Sequence, residues 1–286
     1  MIPCTSAIPS QDKIISIKNL KFTYEGGVCA LLDICLDIKH GDYLAIVGGN
    51  GSGKTTLAKT LNGLLRPSSG AVFVKGRPTT ERRVSELARV VGYAFQNPDH
   101  QLFCSSVEEE VRFGPSNLGY SEEDVRQKAE QAIEGMNLAH IRSKPPLSLR
   151  LGERRRVSMA SVMAMDPEVL ILDEPTTGLD AEEVSELMRR LRRLNEDGKT
   201  IILITHDMRL VAEHAKRVVV MAQGRIVLDS DPRGAFTDIE VLRRSSLEPP
   251  AVTLLSHRLS KFEIPQDIIS PEELVLHLLR PGGESK

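Results

Sequence analysis

A glycine-rich run, GGNGSGKTT at residues 48–56, follows an apolar stretch at residues 43–47 and precedes a segment with the apolar spacing of a helix. Glycines between a strand and a helix let successive backbone N–H groups turn toward a polyphosphate, and the helix N-terminus adds partial positive charge. A glycine-rich turn that binds nothing is the alternative. Because strand, loop, Lys-Thr pair and helix follow in order, the run predicts a phosphate-binding loop.

Individual residues of this loop have distinct expected contacts. Lys54 is placed to reach the β- and γ-phosphates of a nucleotide, and the hydroxyl of Thr55 is placed to ligate a magnesium ion. The residues expected to surround the phosphates are Gly48, Asn50, Gly51, Ser52, Gly53, Lys54, Thr55 and Thr56.

Two further apolar runs end in residues that suit hydrolysis. In VLILDEP, residues 169–175, Asp173 is expected to reach the magnesium ion directly or through water, and Glu174 to act on the attacking water. His206 follows the run TIILIT, and ligands gather at the carboxyl ends of parallel strands. Taken alone, each feature is more often structural. Combined with the loop, they predict a nucleotide hydrolysis site with Lys54, Glu174 and His206 as catalytic residues.

Short apolar runs of strand type alternate along the chain with longer helical segments, which is typical of an α/β fold around a largely parallel sheet. The first few and the last two strands are expected to be antiparallel, because their connections are too short for crossovers. Helix starts are indicated by Ser121 with Asp124 and by Asp180 with Glu183. The predicted strands span residues 14–20, 32–38, 43–47, 71–74, 90–95, 169–172, 200–204, 217–221 and 226–229.

Two parts of the chain depart from this alternation. Between residues 96 and 149 no strand-like run occurs, so a mainly helical insertion is expected. After about residue 236, a Pro-Pro break is followed by two short amphipathic segments, and Ser270-Pro271 marks a helix start in the second. These features predict a small appended module, with a frayed and partly helical tail as the alternative.

The composition disfavours several classes of protein. The 37 basic and 39 acidic residues nearly cancel, so no global field favours nucleic acid or an anionic membrane. The apolar runs are far shorter than the ~20 residues of a membrane helix, and no signal segment is evident, so the chain is not expected to cross a membrane by itself. The cysteines, Cys4, Cys29, Cys35 and Cys104, form no C-x-x-C pair, which favours reduced thiols in the cytosol.

With these motifs in place, the chain resembles the nucleotide-binding subunits of ATP-binding cassette (ABC) transporters over residues 13–235. The resemblance implies ATP and Mg²⁺ as cofactors, with Thr55, Gln96 and Asp173 around the ion. It implies that Tyr24, in FTY, stacks on adenine and that Gln96 senses magnesium and the membrane partner. Asp180, in TTGLD, is similarly expected at a dimer interface.

The resemblance also implies an architecture. A P-loop ABC ATPase cassette would occupy residues 1–240, with an antiparallel β subdomain, a RecA-like core and a helical subdomain over about residues 97–165. A small α-rich extension that dimerises would occupy residues 241–286. Two cassettes would pair head to tail, as a homodimer or a heterodimer, and each ATP would lie between the phosphate loop of one subunit and the signature loop of the other.

Two segments, QNPDHQLFCSSVEEEVRFGPSNLG and LEPPAVTLLSHRL, resemble those of the energy-coupling-factor importers within this family. The first lies where the family's cassettes grip helices of the membrane partner. The implied partners are a second ABC ATPase subunit, a transmembrane coupling protein and a substrate-binding membrane subunit, with this chain peripheral at the cytoplasmic face of the cell membrane. Cobalt, nickel and vitamins are all candidate cargo, because separate membrane subunits select it. An importer of another type is the alternative.

The signature of the family begins Leu-Ser and continues with one or two glycines and Gln or Glu. An ungapped count back from Arg156 places Glu153 and Gly152 at matching positions and puts Arg150 where the serine is expected. Matching Ser148 instead would require a two-residue insertion. Arg150 brings a bulky guanidinium in place of a short donor, and Leu151 adds a side chain where close approach is expected.

The consequences of Arg150 remain open at this point. It could reach the phosphate from further out, hold the dimer apart, or mark the impaired half of a pair with a different cassette. It could also be a solvated arginine at a helix start. The neighbouring arginines at positions 154–156 are expected to face the helical insertion or solvent.

Other functions were weighed against the ATPase of an importer. A soluble clamp acting on DNA or ribosomes typically carries a long coiled-coil insertion or two cassettes, and the sequence shows neither. The arginines at residues 189–193 follow glutamates on one helical segment, so a salt-bridged surface explains them and no nucleic-acid partner is expected. A switch that binds nucleotide but scarcely hydrolyses it is suggested only by Arg150.

Overall fold

Two β-sheets and the helices packed on them make up the part of the chain that the computed structural model describes, residues 12–262 and 264–279. The strands are β1 (Lys13–Thr23), β2 (Cys29–Lys39), β3 (Tyr43–Val47), β4 (Ser69–Val74), β5 (Arg77–Pro78), β6 (Val91–Ala94), β7 (Val169–Asp173), β8 (Thr200–Ile204), β9 (Arg217–Ala222) and β10 (Arg225–Ser230). The helices are α1 (Lys54–Leu61), α2 (Val84–Ala88), α3 (Val107–Asn117), α4 (Glu122–Gly135), α5 (Leu151–Met163), α6 (Ala181–Glu196), α7 (Met208–His214), α8 (Pro232–Thr237), α9 (Ile239–Arg244), α10 (Ala251–Arg258) and α11 (Pro271–Leu279).

The smaller sheet is antiparallel and has the described strand order β2-β1-β4-β5. Apolar side chains such as Ile15 and Ile17 on β1 are buried in the core beneath it. The prediction of antiparallel pairing among the first strands is confirmed for β1, β2 and β4. It is wrong for β3, which follows β2 after a short turn but enters the second sheet, where its neighbours are parallel.

The larger sheet has the described order β10-β9-β3-β8-β7-β6, in which β10 is antiparallel and the other neighbours are parallel. Every residue of β3, β7 and β8 is buried, because the smaller sheet and α1 cover one face of the parallel part and helices such as α5 and α6 cover the other. This double coverage explains why these strands are continuous apolar runs without an alternating pattern. The predicted α/β fold with a largely parallel sheet is confirmed.

The stretch between residues 96 and 149 contains no strand and contributes α3 and α4, as predicted. The predicted helix starts are also confirmed, since Ser121 accepts a hydrogen bond from the Asp124 amide and Asp180 accepts one from the Glu183 amide. With α5, these helices share an apolar core with one face of the larger sheet.

Near the C-terminus, α10 and α11 form the predicted helical module. The Ser270 hydroxyl accepts a hydrogen bond from the Glu273 amide, as expected for a helix start. The Thr253 hydroxyl donates to the Ile268 carbonyl at 2.7 Å, which joins α10 to the segment before α11. Both amphipathic segments therefore form helices, and residue 263 lies outside the described residues.

The cysteines differ from the expectation drawn from their spacing. Cys29 and Cys104 are free thiols, whereas Cys35 is disulfide-bonded, so the prediction is wrong for Cys35. Sequence spacing excludes only a local pair, because a disulfide needs nearby Cα atoms rather than nearby positions in the chain. Cys4 lies outside the described residues.

Candidate functional site

The carboxyl ends of neighbouring parallel strands bring the predicted residues to one edge of the larger sheet. Ile46 of β3 and Asp173 of β7 both pair with Ile204 of β8, and Ala94 of β6 pairs with Leu172 of β7. The segments that follow these strands therefore emerge side by side. They carry the glycine-rich loop, Gln96, Glu174 and His206.

The glycines of the loop occupy positions where a side chain would clash. A Cβ at Gly48 would lie 2.3 Å from the Met221 carbonyl oxygen, and a Cβ at Gly53 would lie 2.7 Å from the Ala30 carbonyl oxygen. Gly53 also has a φ of 103°, in the left-handed region that favours glycine, and it immediately precedes α1. These contacts fix a tight turn between β3 and the start of α1.

Lys54 folds back over the loop. Its ammonium donates hydrogen bonds to the carbonyl oxygens of Gly48 and Gly49 at 2.7 and 2.9 Å. Burial lowers the pKa of Lys54, and the nearby carboxylates of Glu174 and Asp173 oppose that shift. An anion placed in the loop would supply the lysine with a charged partner in exchange for these carbonyls.

Asp173 is buried at the end of β7 and has two hydroxyl donors. The Thr55 hydroxyl donates to its Oδ2 at 2.7 Å, and the Tyr93 hydroxyl donates to the same oxygen at 3.0 Å. Burial raises the pKa of Asp173, although the two hydroxyls and Lys54 favour its charged form. Tyr93 was not predicted as a site residue, and its place in an apolar strand gave no signal of this contact.

Oxygen donors of the kind that Mg²⁺ prefers are therefore adjacent in the Thr55 hydroxyl and the Asp173 carboxylate. The described residues contain no cluster of three or more His, Cys, Asp or Glu side chains suited to a metal ion. The donor set fits Mg²⁺ when phosphate oxygens complete its coordination, because this ion is commonly bound by one or two carboxylates together with substrate phosphates.

Glu174 and His206 form a hydrogen-bonded pair. Glu174 is only 8% exposed, and its Oε1 lies 2.8 Å from Nδ1 of His206. The Glu174 backbone is in the left-handed region, with φ of 49°, and its amide donates to the Ile204 carbonyl at 2.8 Å. A carboxylate held in this way can accept a proton from a water molecule beside it.

A cavity of about 350 Å³ connects most of these groups. The sequence-predicted residues that line it are Tyr24, Asn50, Gly51, Ser52, Gly53, Lys54, Thr55, Thr56, Gln96, Asp173 and Glu174. Tyr24 is partly exposed at its wall, and the Tyr24 hydroxyl lies 3.0 Å from the Thr56 hydroxyl. His206 reaches the site through Glu174.

The signature residues lie elsewhere, at the exposed starts of α5 and α6. Arg150 is the N-cap of α5 and makes no side-chain capping bond, while the Arg150 amide donates to the Glu153 carboxylate at 2.9 Å. A guanidinium has no acceptor with which to cap a helix. Ser148 lies in the preceding turn, where its hydroxyl donates to the Pro145 carbonyl. The ungapped count therefore places Arg150 where a capping serine would stand.

The segment that contains Asp180 packs directly against this helix start. A Cβ at Gly152 would lie 2.6 Å from the Gly178 carbonyl oxygen, so only glycine fits there. The Leu151 side chain leans on Gly178, with Cδ2 3.2 Å from the position of a Cβ built on that glycine. Leu151 is nevertheless 41% exposed, so the expectation that its side chain lies where close approach is needed stays a prediction.

The run of three arginines is also placed differently from the expectation. Arg155 is 4% exposed and donates to the carbonyl oxygens of Glu174 at 2.7 Å and Gln96 at 2.8 Å. The prediction that Arg155 faces the helical insertion or solvent is wrong, because its guanidinium is buried against the main chain of two predicted site residues. Three consecutive arginines look alike in the sequence, so the sequence alone does not indicate which of them is buried.

Comparison with known proteins identifies the family. The ABC transporter family model matches residues 31–177, just over half of the chain. The chain belongs to the ABC transporter family. It is 40% identical to the energy-coupling factor transporter ATP-binding protein EcfA of Methanocaldococcus jannaschii over 87% of this chain and 90% of that protein.

Solved ABC structures agree as well. One is cbiO1 from Clostridium perfringens, part of the ABC transporter complex cbiONQ, with 38% identity, a TM-score of 0.71 and coverage of 88% of this chain and 99% of that one. Another is the dimeric structure of MJ0796, a bacterial ABC transporter cassette, with 29% identity, a TM-score of 0.71 and coverage of 77% and 99%.

Other ABC relatives are longer than this chain. Three putative ABC transporter ATP-binding proteins are 43% to 45% identical, and the chain spans only 41% to 46% of their length. Among its described helices, none is both long and apolar enough to span a bilayer.

Proposed function

We propose that the chain binds ATP with Mg²⁺ in the cavity and hydrolyses it to drive an importer of the energy-coupling-factor type. The observation that carries the hydrolytic part is the placement of the Lys54 loop, Asp173 and the Glu174–His206 pair at one edge of the sheet. A glycine-rich turn without a ligand would need no buried carboxylates at the ends of the neighbouring strands.

Each residue then has a role that its contacts support. Lys54 exchanges two loop carbonyls for phosphate oxygens, and the backbone N–H groups before α1 donate to the remaining ones. Thr55 and Asp173, together with Gln96, would hold Mg²⁺, which would neutralise phosphate charge when bound. Glu174 accepts the proton of the attacking water, and His206 orients the Glu174 carboxylate. Tyr24 stacks on adenine at the open side of the cavity.

A second cassette completes the site in this proposal. Arg150, Gly152, Glu153 and Asp180 do not line the cavity of their own chain, and they lie together on its surface at two helix starts. The dimeric structure of the related MJ0796 cassette supports a paired arrangement. These residues would then face the nucleotide of the partner. Arg150 would approach a phosphate with a long, charged side chain, in place of the short, neutral serine that the resemblance leads one to expect.

The membrane partner is proposed to dock beside the segment that follows Gln96. Phe103 and Phe113 are 62% and 47% exposed, and their rings meet edge to face with centroids 4.7 Å apart. An exposed aromatic pair on a helical subdomain suits an apolar helix of another protein. The named relatives, EcfA and a component of cbiONQ, support a transport complex in which this chain is peripheral at the cytoplasmic face of the membrane.

The cargo is proposed to be a transition metal ion, cobalt or nickel, or a vitamin, selected by the membrane subunits. The docking proposal is tested by the variant pair Phe103→Ser and Phe113→Ser, with Phe73→Ser as a control on the antiparallel sheet. We expect the pair to lose co-purifying membrane protein while purified subunits keep their ATP affinity. Unchanged co-purification would contradict the proposed docking surface.

The domain boundaries are proposed as the sequence suggests them. A cassette occupies residues 1–240, with a helical subdomain over about 97–165, and a dimerising extension occupies residues 241–286. On α11, Leu276 and Leu279 are 63% and 74% exposed, whereas Leu274 is buried against the chain. Such an apolar helix face supports contact with a second copy of the extension. Leu276→Glu and Leu279→Glu are expected to lower the dimer fraction in light scattering, and an unchanged dimer fraction would contradict this assignment.

The hydrolytic proposal is tested on the purified chain by calorimetric titration with ATP and by release of inorganic phosphate. Lys54→Ala is expected to weaken ATP binding, because the loop loses its cation, and to abolish phosphate release. Binding of ATP without phosphate release at any protein concentration, with membrane partners present, would instead favour the nucleotide switch that Arg150 suggests.

A further inference from the structure

Arg155 occupies an unusual position for a charged residue in the middle of an arginine run. It lies in the second turn of α5 and is 4% exposed. Burial lowers the pKa of its guanidinium, with the carboxylates of Glu174 and Asp173 opposing that shift. A buried cation is costly unless its hydrogen bonds are satisfied.

The acceptors of Arg155 are main-chain oxygens of two site residues. Nη1 donates to the Glu174 carbonyl at 2.7 Å, and Nη2 donates to the Gln96 carbonyl at 2.8 Å. The residues lie 19 and 59 positions away in the chain. One planar guanidinium therefore fixes the segments that follow two adjacent strands, β7 and β6, relative to each other.

The contact with Glu174 acts on a residue in a strained conformation. A non-glycine residue rarely adopts the left-handed region, and surrounding contacts must hold it there. The Glu174 amide is held by the Ile204 carbonyl, and its carbonyl is held by Arg155. Fixing both ends of the residue sets the direction of the carboxylate that pairs with His206.

We propose that Arg155 is a positioning residue for hydrolysis, which fixes the Glu174 carboxylate and ties its orientation to the segment that carries Gln96. This inference rests on the proposed function. The flanking arginines differ in their contacts: Arg154 pairs with Asp99 at 2.7 Å, and Arg156 pairs with Glu183 at 3.1 Å. Within the arginine run, Arg155 is the member that contacts Glu174 and Gln96.

The test is steady-state and single-turnover ATP hydrolysis by the full-length chain with Arg155→Gln, Arg155→Lys and, as a matched control on the same helix, Arg154→Gln. Arg155→Gln is expected to lower kcat by roughly tenfold, the effect of losing one hydrogen bond from a charged donor, with little change in KM. Arg155→Lys should recover part of the rate, because an ammonium also offers several donors. Arg154→Gln should keep the wild-type rate.

A second readout separates positioning from a general structural role. In the Glu174→Gln background, Arg155→Gln should cause no further loss, because the two residues act as one unit. An equal additional loss in that background, or a wild-type kcat for Arg155→Gln, would overturn the inference while leaving the proposed function intact. If Arg155→Gln does not fold, as judged by thermal unfolding, the same comparisons with Arg155→Lys decide the matter. A wild-type chain that binds ATP but never releases phosphate would overturn the proposed function, and this inference with it.

Discussion

Replacing Glu174 by glutamine is expected to slow turnover by orders of magnitude while leaving the fold and ATP binding intact. Glu174 is 8% exposed, its carboxylate lies 2.8 Å from His206 Nδ1, and an amide of the same shape can keep that contact. The lost function is proton acceptance, and removal of a general base slows a reaction about 100- to 10,000-fold. That loss corresponds to about 3–5 kcal/mol of activation free energy.

The assay compares phosphate release at saturating ATP with calorimetric ATP affinity and thermal unfolding. Glu168→Gln is the matched control, because Glu168 lies just before the same strand and pairs with Lys75 at the surface. We expect the control to keep its rate, since exposed ion pairs contribute about 0–1 kcal/mol. A Glu174→Gln chain that releases phosphate at the wild-type rate would refute the catalytic assignment of this carboxylate.

Three further predictions test other parts of the account. Cys29 lines the cavity as an exposed free thiol, so ATP with Mg²⁺ should slow its alkylation by a maleimide, as measured by peptide mass mapping. Burial and nearby glutamates raise the pKa of Cys104 to about 11, so this control thiol should react slowly with or without nucleotide. Equal alkylation of Cys29 in both conditions would contradict the site. Arg150→Ser should raise the free energy of unfolding by roughly 0.5–1 kcal/mol, because α5 gains the side-chain cap it lacks, and no increase in a denaturant titration would contradict that reading. Burial alone would raise the pKa of Asp166, but hydrogen bonds from two lysines lower it overall. The charged carboxylate therefore stabilises the fold above the unfolded-state pKa of 3.8, and this stabilisation is lost as the pH falls through the lower folded-state pKa. Asp166→Asn, in which asparagine tolerates the same left-handed backbone, should lower the unfolding temperature at neutral pH and have less effect in acid.

Much of the architecture could be predicted because its signals are local. The buried strands are unbroken apolar runs, the helix starts carry their own caps, and the glycine-rich loop is contiguous in sequence. Parallel pairing then brings Lys54, Asp173 and Glu174 to one edge, and the structure shows this arrangement. Their catalytic roles remain predictions.

The parts that were missed depend on contacts between distant segments. The Tyr93 hydroxyl meets Asp173 across 80 positions, and Arg155 meets Gln96 across 59. Nothing in the local pattern distinguishes the buried Arg155 from Arg154 or Arg156, because burial is decided by how α5 docks on the sheet. The packing of Leu151 on Gly178 is similarly a property of two helix starts meeting in space.

The most direct test of the central claim is to capture the tagged chain from native membranes in mild detergent, identify the accompanying chains and measure phosphate release by the isolated complex. The account predicts a co-purifying integral membrane protein and ATP turnover that a Glu174→Gln complex of the same composition lacks. A second, different cassette in the complex would identify a heterodimer and place Arg150 in one of two unequal sites. Recovery without any membrane protein, or turnover unaffected by Glu174→Gln, would contradict the proposed ATP-driven importer.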